Sequence, residues 1–230
     1  MATTISSETA SASDHKSAQW GSQAKPPSLE KLYALGRKRT LVKQESLTGV
    51  PNDDRLVFVE NGAAKLLSQK HILTFQFPGD VVSIPKSSAD DFALVALTDL
   101  ECVTFRTKRL LDCDTQDALT SQHILKQALR ALHSNRIHMM QMQHQSAKQR
   151  LAEFLLNIAQ RLGSGVDRAR EFSLPMSRGE IAASLGLTIE TVSRQFRELR
   201  DTGLIATQGR SIIKVSDLDA LNRYAKCEAS

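Results

Sequence analysis

The sequence predicts an α+β protein: an antiparallel, β-rich N-terminal domain, then one long helix, then a helical C-terminal domain that ends in a β-hairpin. Three observations predict it. Short β-prone runs separated by Gly, Pro and Asn fill residues 55–105, residues 120–145 contain neither glycine nor proline, and Ser177 to Arg200 carries a start, a stop and a second start signal for helices. The boundaries expected are a tail over 1–28, a β domain over 29–118, the long helix over 119–145 and the C-terminal domain over 146–230.

The tail is rich in Ser, Thr, Ala, Gln and Lys, a composition that predicts disorder, and Pro26-Pro27 precedes a helical pattern from Leu29 to Leu35. Arg55 to Val59 and Ala63 to Leu67 flank Glu60-Asn61-Gly62, which predicts a hairpin. Leu73, Phe75 and Phe77 alternate before the turn Pro78-Gly79-Asp80, and Phe92 to Leu97 with Cys102 to Phe105 supply further strands. These runs are equally compatible with more than one small antiparallel barrel or sandwich.

Along the long helix Leu125, Leu129, Leu132, Met139 and Met140 recur at spacings of three, four and seven, interrupted by Arg136. Such a stripe suits a seam between two copies of the helix. Ile124, Ala128, Ala131 and Ile137 lie mostly beside it, so packing on its own domain also fits. A second amphipathic helix is expected from Leu151, Phe154, Leu155, Ile158 and Leu162, ended by Gly163-Ser164-Gly165.

Next, Ser177 with Glu180 forms a capping box, Ile181 and Leu185 point inward one turn apart, and Gly186 suits a left-handed helix end. Thr188 then caps another helix, with Val192, Phe196 and Leu199 on one face and Glu190, Ser193, Arg194 and Arg197 on the other. Leu204 to Thr207 and Ser211 to Val215, joined at Gln208-Gly209-Arg210, read as a wing.

A helix pair of this kind reads DNA by presenting side chains near the start of its second helix to base edges in the major groove. Arginine grips guanine O6 and N7, glutamate accepts from the cytosine amino group, and serine serves either base pair. Glu190, Ser193 and Arg194 are therefore the expected base-reading residues, and Arg210 in the wing is expected near a phosphate. A merely solvated polar face, or one that binds a protein partner in a non-DNA-binding adaptor, also fits the pattern.

Charge favours nucleic acid. From Lys148 to Lys214 there are 11 Lys and Arg against 7 Asp and Glu, most of the whole-chain net charge of +5. An acidic membrane surface would suit the same charge, but no apolar run is long enough to span a bilayer and no secretory signal reads at the start, so a cytoplasmic location is expected. No phosphate-binding glycine loop, nucleophile-elbow serine or HExxH helix is present, so no enzyme is expected.

LPMSRGEIAASLGLTIETVSRQFRELRDTGLI resembles the winged helix-turn-helix signature of the CRP/FNR superfamily of bacterial regulators, nearest its FNR and FixK branch. The resemblance implies a cyclic-nucleotide-binding-like β-roll for the N-terminal domain, a dimerisation helix over 119–145, and RNA polymerase and double-stranded DNA as partners of a homodimeric activator. It also implies that Glu190, Ser193 and Arg194 read a TTGA-type half-site of an inverted repeat, and that Ser177, Arg178, Thr188 and Thr191 contact phosphates, with Arg197 facing the same way. Where the CRP branch has an arginine this chain has Ile189, which favours the FNR/FixK type of operator.

No cofactor is expected. The segment after Pro78-Gly79-Asp80, VVSIPKSSADDFALV, lacks the Arg-Ser pair that grips a cyclic nucleotide, leaving only Lys86-Ser87-Ser88 as an anion contact. A four-iron cluster needs four thiolates, whereas the chain has Cys102, Cys113 and Cys227 and none in residues 1–50. Cys102 reads as a core residue, and Cys227 as a weak redox candidate beside Lys226. His123, His133, His138 and His144 lack the i, i+3 or i+4 spacing of paired haem ligands. A regulator that needs no ligand fits better than one gated by haem or a small molecule.

Overall fold

The computed structural model describes residues 36–86, 92–112, 145–209 and 211–226, together with Tyr33, Lys126, Leu129, Leu132, His133, Arg136 and Met140. Among these residues eight strands form the first domain: β1 (Arg37–Leu41), β2 (Ser46–Thr48), β3 (Arg55–Asn61), β4 (Ala64–Ser68), β5 (His71–Gln76), β6 (Val81–Ile84), β7 (Ala93–Ala96) and β8 (Leu100–Arg106), followed by the short helix α1 (Thr107–Asp112). They make two antiparallel four-stranded sheets, ordered β1-β8-β3-β6 and β2-β7-β4-β5. Leu41, Val57, Val59, Ile84, Leu100 and Cys102 of the first sheet share one buried core with Leu47, Ala64, Leu66 and Leu94 of the second. On the other side of the first sheet Phe58 packs edge-on against Phe105, ring centroids 5.3 Å apart, and against Tyr33.

The expected hairpin at Asn61-Gly62 is corrected. β3 and β4 are consecutive but belong to different sheets, so the Asn-Gly corner carries the chain from one sheet to the other. The local signal was sound, since Gly62 adopts φ +85°, and a Cβ there would collide with the Asp99 carbonyl. What differs is the partner. Ala63 N–H donates to Thr98 Oγ1 at 2.9 Å, and Leu97 N–H to the Ala63 carbonyl at 2.8 Å, so the loop before β8 captures the corner. The alternation of Leu73, Phe75 and Phe77 is also imperfect. Phe75 and Phe77 are buried, but Leu73 is exposed and Gln76 is buried. β5 is an edge strand whose inner contacts are made with the second domain, so its pattern does not answer to the β core alone. β1, β2 and β6 lie outside the runs that the sequence marks as strands. They are short, and the first four residues of β1 are exposed, which removes the periodic apolar signal.

In the second domain α2 (Ala147–Leu162) starts at a Ser146/Gln149 capping box and buries Leu151, Ala152, Leu155, Ile158 and Ala159. Strand β9 (Arg170–Ser173) follows, then α3 (Arg178–Leu185), α4 (Ile189–Asp201), β10 (Ile205–Gln208), β11 (Ile212–Val215) and α5 (Leu218–Lys226). The wing is a three-stranded sheet, β10-β11-β9, because β9 pairs with β11 through Phe172 opposite Ile213. A four-residue strand set apart from the hairpin left no sequence signal for this. Leu221 and Ala225 of α5 join a core with α2, α3 and α4, and that core extends into Ala63, Phe75, Phe77 and Leu97 of the β domain.

Candidate nucleic-acid interface

The α3 start is closed reciprocally. Ser177 Oγ accepts from Glu180 N–H at 3.2 Å, and Glu180 Oε2 accepts from Ser177 N–H at 2.8 Å and from its hydroxyl at 2.9 Å. Burial alone would raise the Glu180 pKa, but the hydrogen bond from Lys65 and those from Ser177 outweigh it and hold the carboxyl below its ordinary range. Gly186 ends α3 with φ 61° and ψ 38°, the left-handed conformation that only glycine adopts at little cost. Thr188 caps α4, its hydroxyl accepting from Thr191 N–H at 3.2 Å.

α4 sorts as its sequence requires. Val192, Phe196 and Leu199 are buried, with Gln195 beside them, while Glu190, Ser193, Arg194 and Arg197 are exposed. Residues at i, i+3, i+4 and i+7 share one face, so these four side chains stand together in the first turns. The Glu190 carboxyl is held below its ordinary pKa by its own backbone N–H at the helix start and by the Thr188 hydroxyl, which keeps it an acceptor. Ile189, not among the expected reading residues, is 47% exposed in the same turn. A Cβ built on Gly179 would lie 3.8 Å from Ile189 Cδ1, so the starts of α3 and α4 sit side by side.

Of the expected phosphate contacts, Ser177, Thr188 and Arg197 are exposed and Thr191 is half-buried. Arg210 lies outside the described residues, as do Leu125 and Met139 of the expected seam. Arg178 is placed differently. Its guanidinium lies over the Phe196 ring, Cζ 3.0 Å from the centroid, and its Nη1 is buried without a hydrogen-bond partner. Burial, and secondarily the charge of Arg200, lower its pKa to about 10. Gln195 Oε1 is buried and unpartnered as well. At the far end of α4, Tyr224 donates to Glu198 Oε1 at 2.7 Å, and the Lys148 ammonium sits 4.0 Å from the Tyr224 ring centroid, fixing α4 against α5 and α2.

Cys102 is a core residue, 1% exposed, and burial raises its thiol pKa to about 11. Among the described residues no group of three or more His, Cys, Asp or Glu could hold a metal ion, and no helix is long and apolar enough to cross a membrane.

A family profile described as the Crp-like helix-turn-helix domain matches residues 149–224. The nitrogen fixation regulation protein FixK of Rhizobium meliloti is 31% identical over 174 residues, covering 74% of this chain and 77% of that protein. The chain belongs to the CRP/FNR superfamily, in its FixK-like branch. The transcriptional activator protein FnrL of Cereibacter sphaeroides is 30% identical over 192 residues, 77% of each chain. The solved structure of FixK2 from Bradyrhizobium japonicum superposes with a TM-score of 0.70 at 25% identity, covering 84% of this chain and 99% of that one. A CooA mutant from Carboxydothermus hydrogenoformans, at 20% identity and a TM-score of 0.68, shares the fold. The α+β architecture is thus that of CRP/FNR regulators, and the chain is a DNA-binding transcription regulator, not an enzyme.

Proposed function

We propose that this CRP/FNR-family chain acts as a homodimer that inserts two copies of α4 into successive major grooves of an inverted repeat with TTGA-type half-sites. One observation carries the reading. Glu190, Ser193 and Arg194 stand exposed together on the first turns of a helix whose opposite face is locked into the domain core. Arg194 holds the guanine of each half-site, Glu190 accepts from a cytosine amino group, and Ser193 bonds an adjacent base. Exposed Ile189 adds an apolar surface for a thymine methyl, where an arginine would seek a guanine. Ser177, Thr188, Thr191, Arg197 and Arg210 take the flanking phosphates, and Arg178 joins them by leaving Phe196 when a phosphate is offered.

Two reading helices about 34 Å apart require a two-fold dimer. Leu129, Leu132 and Met140 lie on helical residues at seam spacing and are 46%, 58% and 59% exposed in the single chain, which supports a seam that also uses Leu125 and Met139. The dimer activates transcription, as the names of its activator relatives suggest, and on this reading it does so in the cytoplasm by recruiting RNA polymerase. Selection of duplexes from a random pool tests the reading. An enriched inverted repeat with TTGA half-sites is expected, and enrichment of an unrelated or asymmetric motif would overturn it.

A further inference from the structure

The second domain sits on the first through a shared apolar core, and among the described residues two ion pairs flank that contact. Lys65 of β4 meets Glu180 of α3 at 2.7 Å, the two side chains only 15% and 24% exposed. Arg161, in the last turn of α2, meets Asp80 after β5, also at 2.7 Å. Apolar contact accompanies them. The Phe75 and Phe154 rings approach to 6.0 Å, and Arg161 lies 5.1 Å over the Phe77 ring.

Glu180 makes the first pair unusual in its reach. One oxygen accepts from Lys65, and the other closes the α3 start through the Ser177 backbone and hydroxyl. The carboxylate that caps the first helix of the reading pair is thus the same one that the β domain grips. In this docked pose Glu190, Ser193, Arg194 and Arg197 remain exposed, so docking leaves the reading face open.

We infer that Lys65–Glu180 and Asp80–Arg161 lock the DNA-binding domain onto the β domain in the pose that reads DNA, so that the β domain itself fixes where α4 stands. The inference rests on the reading above that two half-sites are engaged together. Once one α4 is seated, the second engages as an intramolecular event, whose strength depends on how often that domain is already in place. A rigid dock keeps it there. A domain held only by its linker would have to lose its freedom on each engagement, which weakens the palindrome but not a lone half-site.

The test uses the full-length protein as wild type, Lys65→Met, Arg161→Met and the double variant, with Lys65→Arg as the conservative control. Methionine preserves the apolar stems, so the fold core is untouched. Amide hydrogen exchange over residues 71–80, the edge that the second domain covers, is expected to accelerate about fivefold in the double variant, with β3 and β8 unchanged. Affinity for the inverted repeat is expected to fall about tenfold, while affinity for a duplex with one half-site stays at the wild-type value. Lys65→Arg should restore both. Unchanged exchange over 71–80, or faster exchange with undiminished palindrome affinity, would overturn the lock. If the wild type itself bound no duplex, the DNA reading would fall while the exchange result still judged the dock.

Discussion

Arg194 illustrates what a single residue contributes when its scaffold is rigid. It is exposed on α4, two residues before fully buried Phe196 and two after buried Val192, so its stem leaves the helix in a fixed direction while its guanidinium is free to bond. Replacing Arg194 by Ala is expected to cost about 1–3 kcal/mol at each half-site and to relax the preference for guanine there. Competition binding against duplexes altered at that base measures both effects. Equal weakening on every sequence would make Arg194 a phosphate contact. Cys102 shows the reverse case, since burial keeps its thiol protonated and makes it a packing residue.

Between elements, the contact of α3 with α4 carries a tension. Arg178 stands in the first turn of α3, where the helix dipole disfavours a cation, its Nη1 is buried without a partner, and Arg200 adds like charge. Among the described contacts, its stacking on Phe196 compensates. A free protein optimised for stability would place an apolar side chain there. Arg178→Met is therefore expected to stabilise the folded protein by about 1 kcal/mol, seen as a higher melting temperature. The same variant should bind all duplexes more weakly, with the slope of log K against log salt reduced by about one. An unchanged slope would leave Arg178 a packing residue alone. The capping box of Ser177 and Glu180 and the left-handed Gly186 set the angle at which this contact forms.

At the scale of the whole molecule, the proposed assembly rests on two surfaces: the dock between the domains and the seam proposed along Leu129, Leu132 and Met140. Leu132 is the more exposed of the two described leucines there. Leu132→Glu would bury a charge in the seam, so the variant is expected to sediment as a monomer and to lose binding to the inverted repeat together. An intact dimer would place the seam elsewhere. On the proposed reading the basic excess of the C-terminal half acts at this scale too, drawing the domain to any duplex while Glu190, Ser193 and Arg194 select among them.

The parts of this protein that were legible in the sequence are those whose physics is local. A capping box joins residues three apart, the stop at Gly186 is one backbone conformation, and the two faces of α4 follow from a 3.6-residue period, so the helix pair from Ser177 to Arg200 was legible apart from the placement of Arg178 and Gln195. Asn61-Gly62 marks the limit of such signals. The dipeptide determined a left-handed turn, but whether its two strands pair with each other or with distant ones depends on hydrogen bonds to residues 97 and 98. Tertiary structure alone brought β9 beside β11, laid Arg178 on Phe196, buried Gln195 and joined Lys65 to Glu180, 115 residues away. Such pairings leave no period and no motif in the chain, because they depend on which surfaces remain to be covered after each element has formed.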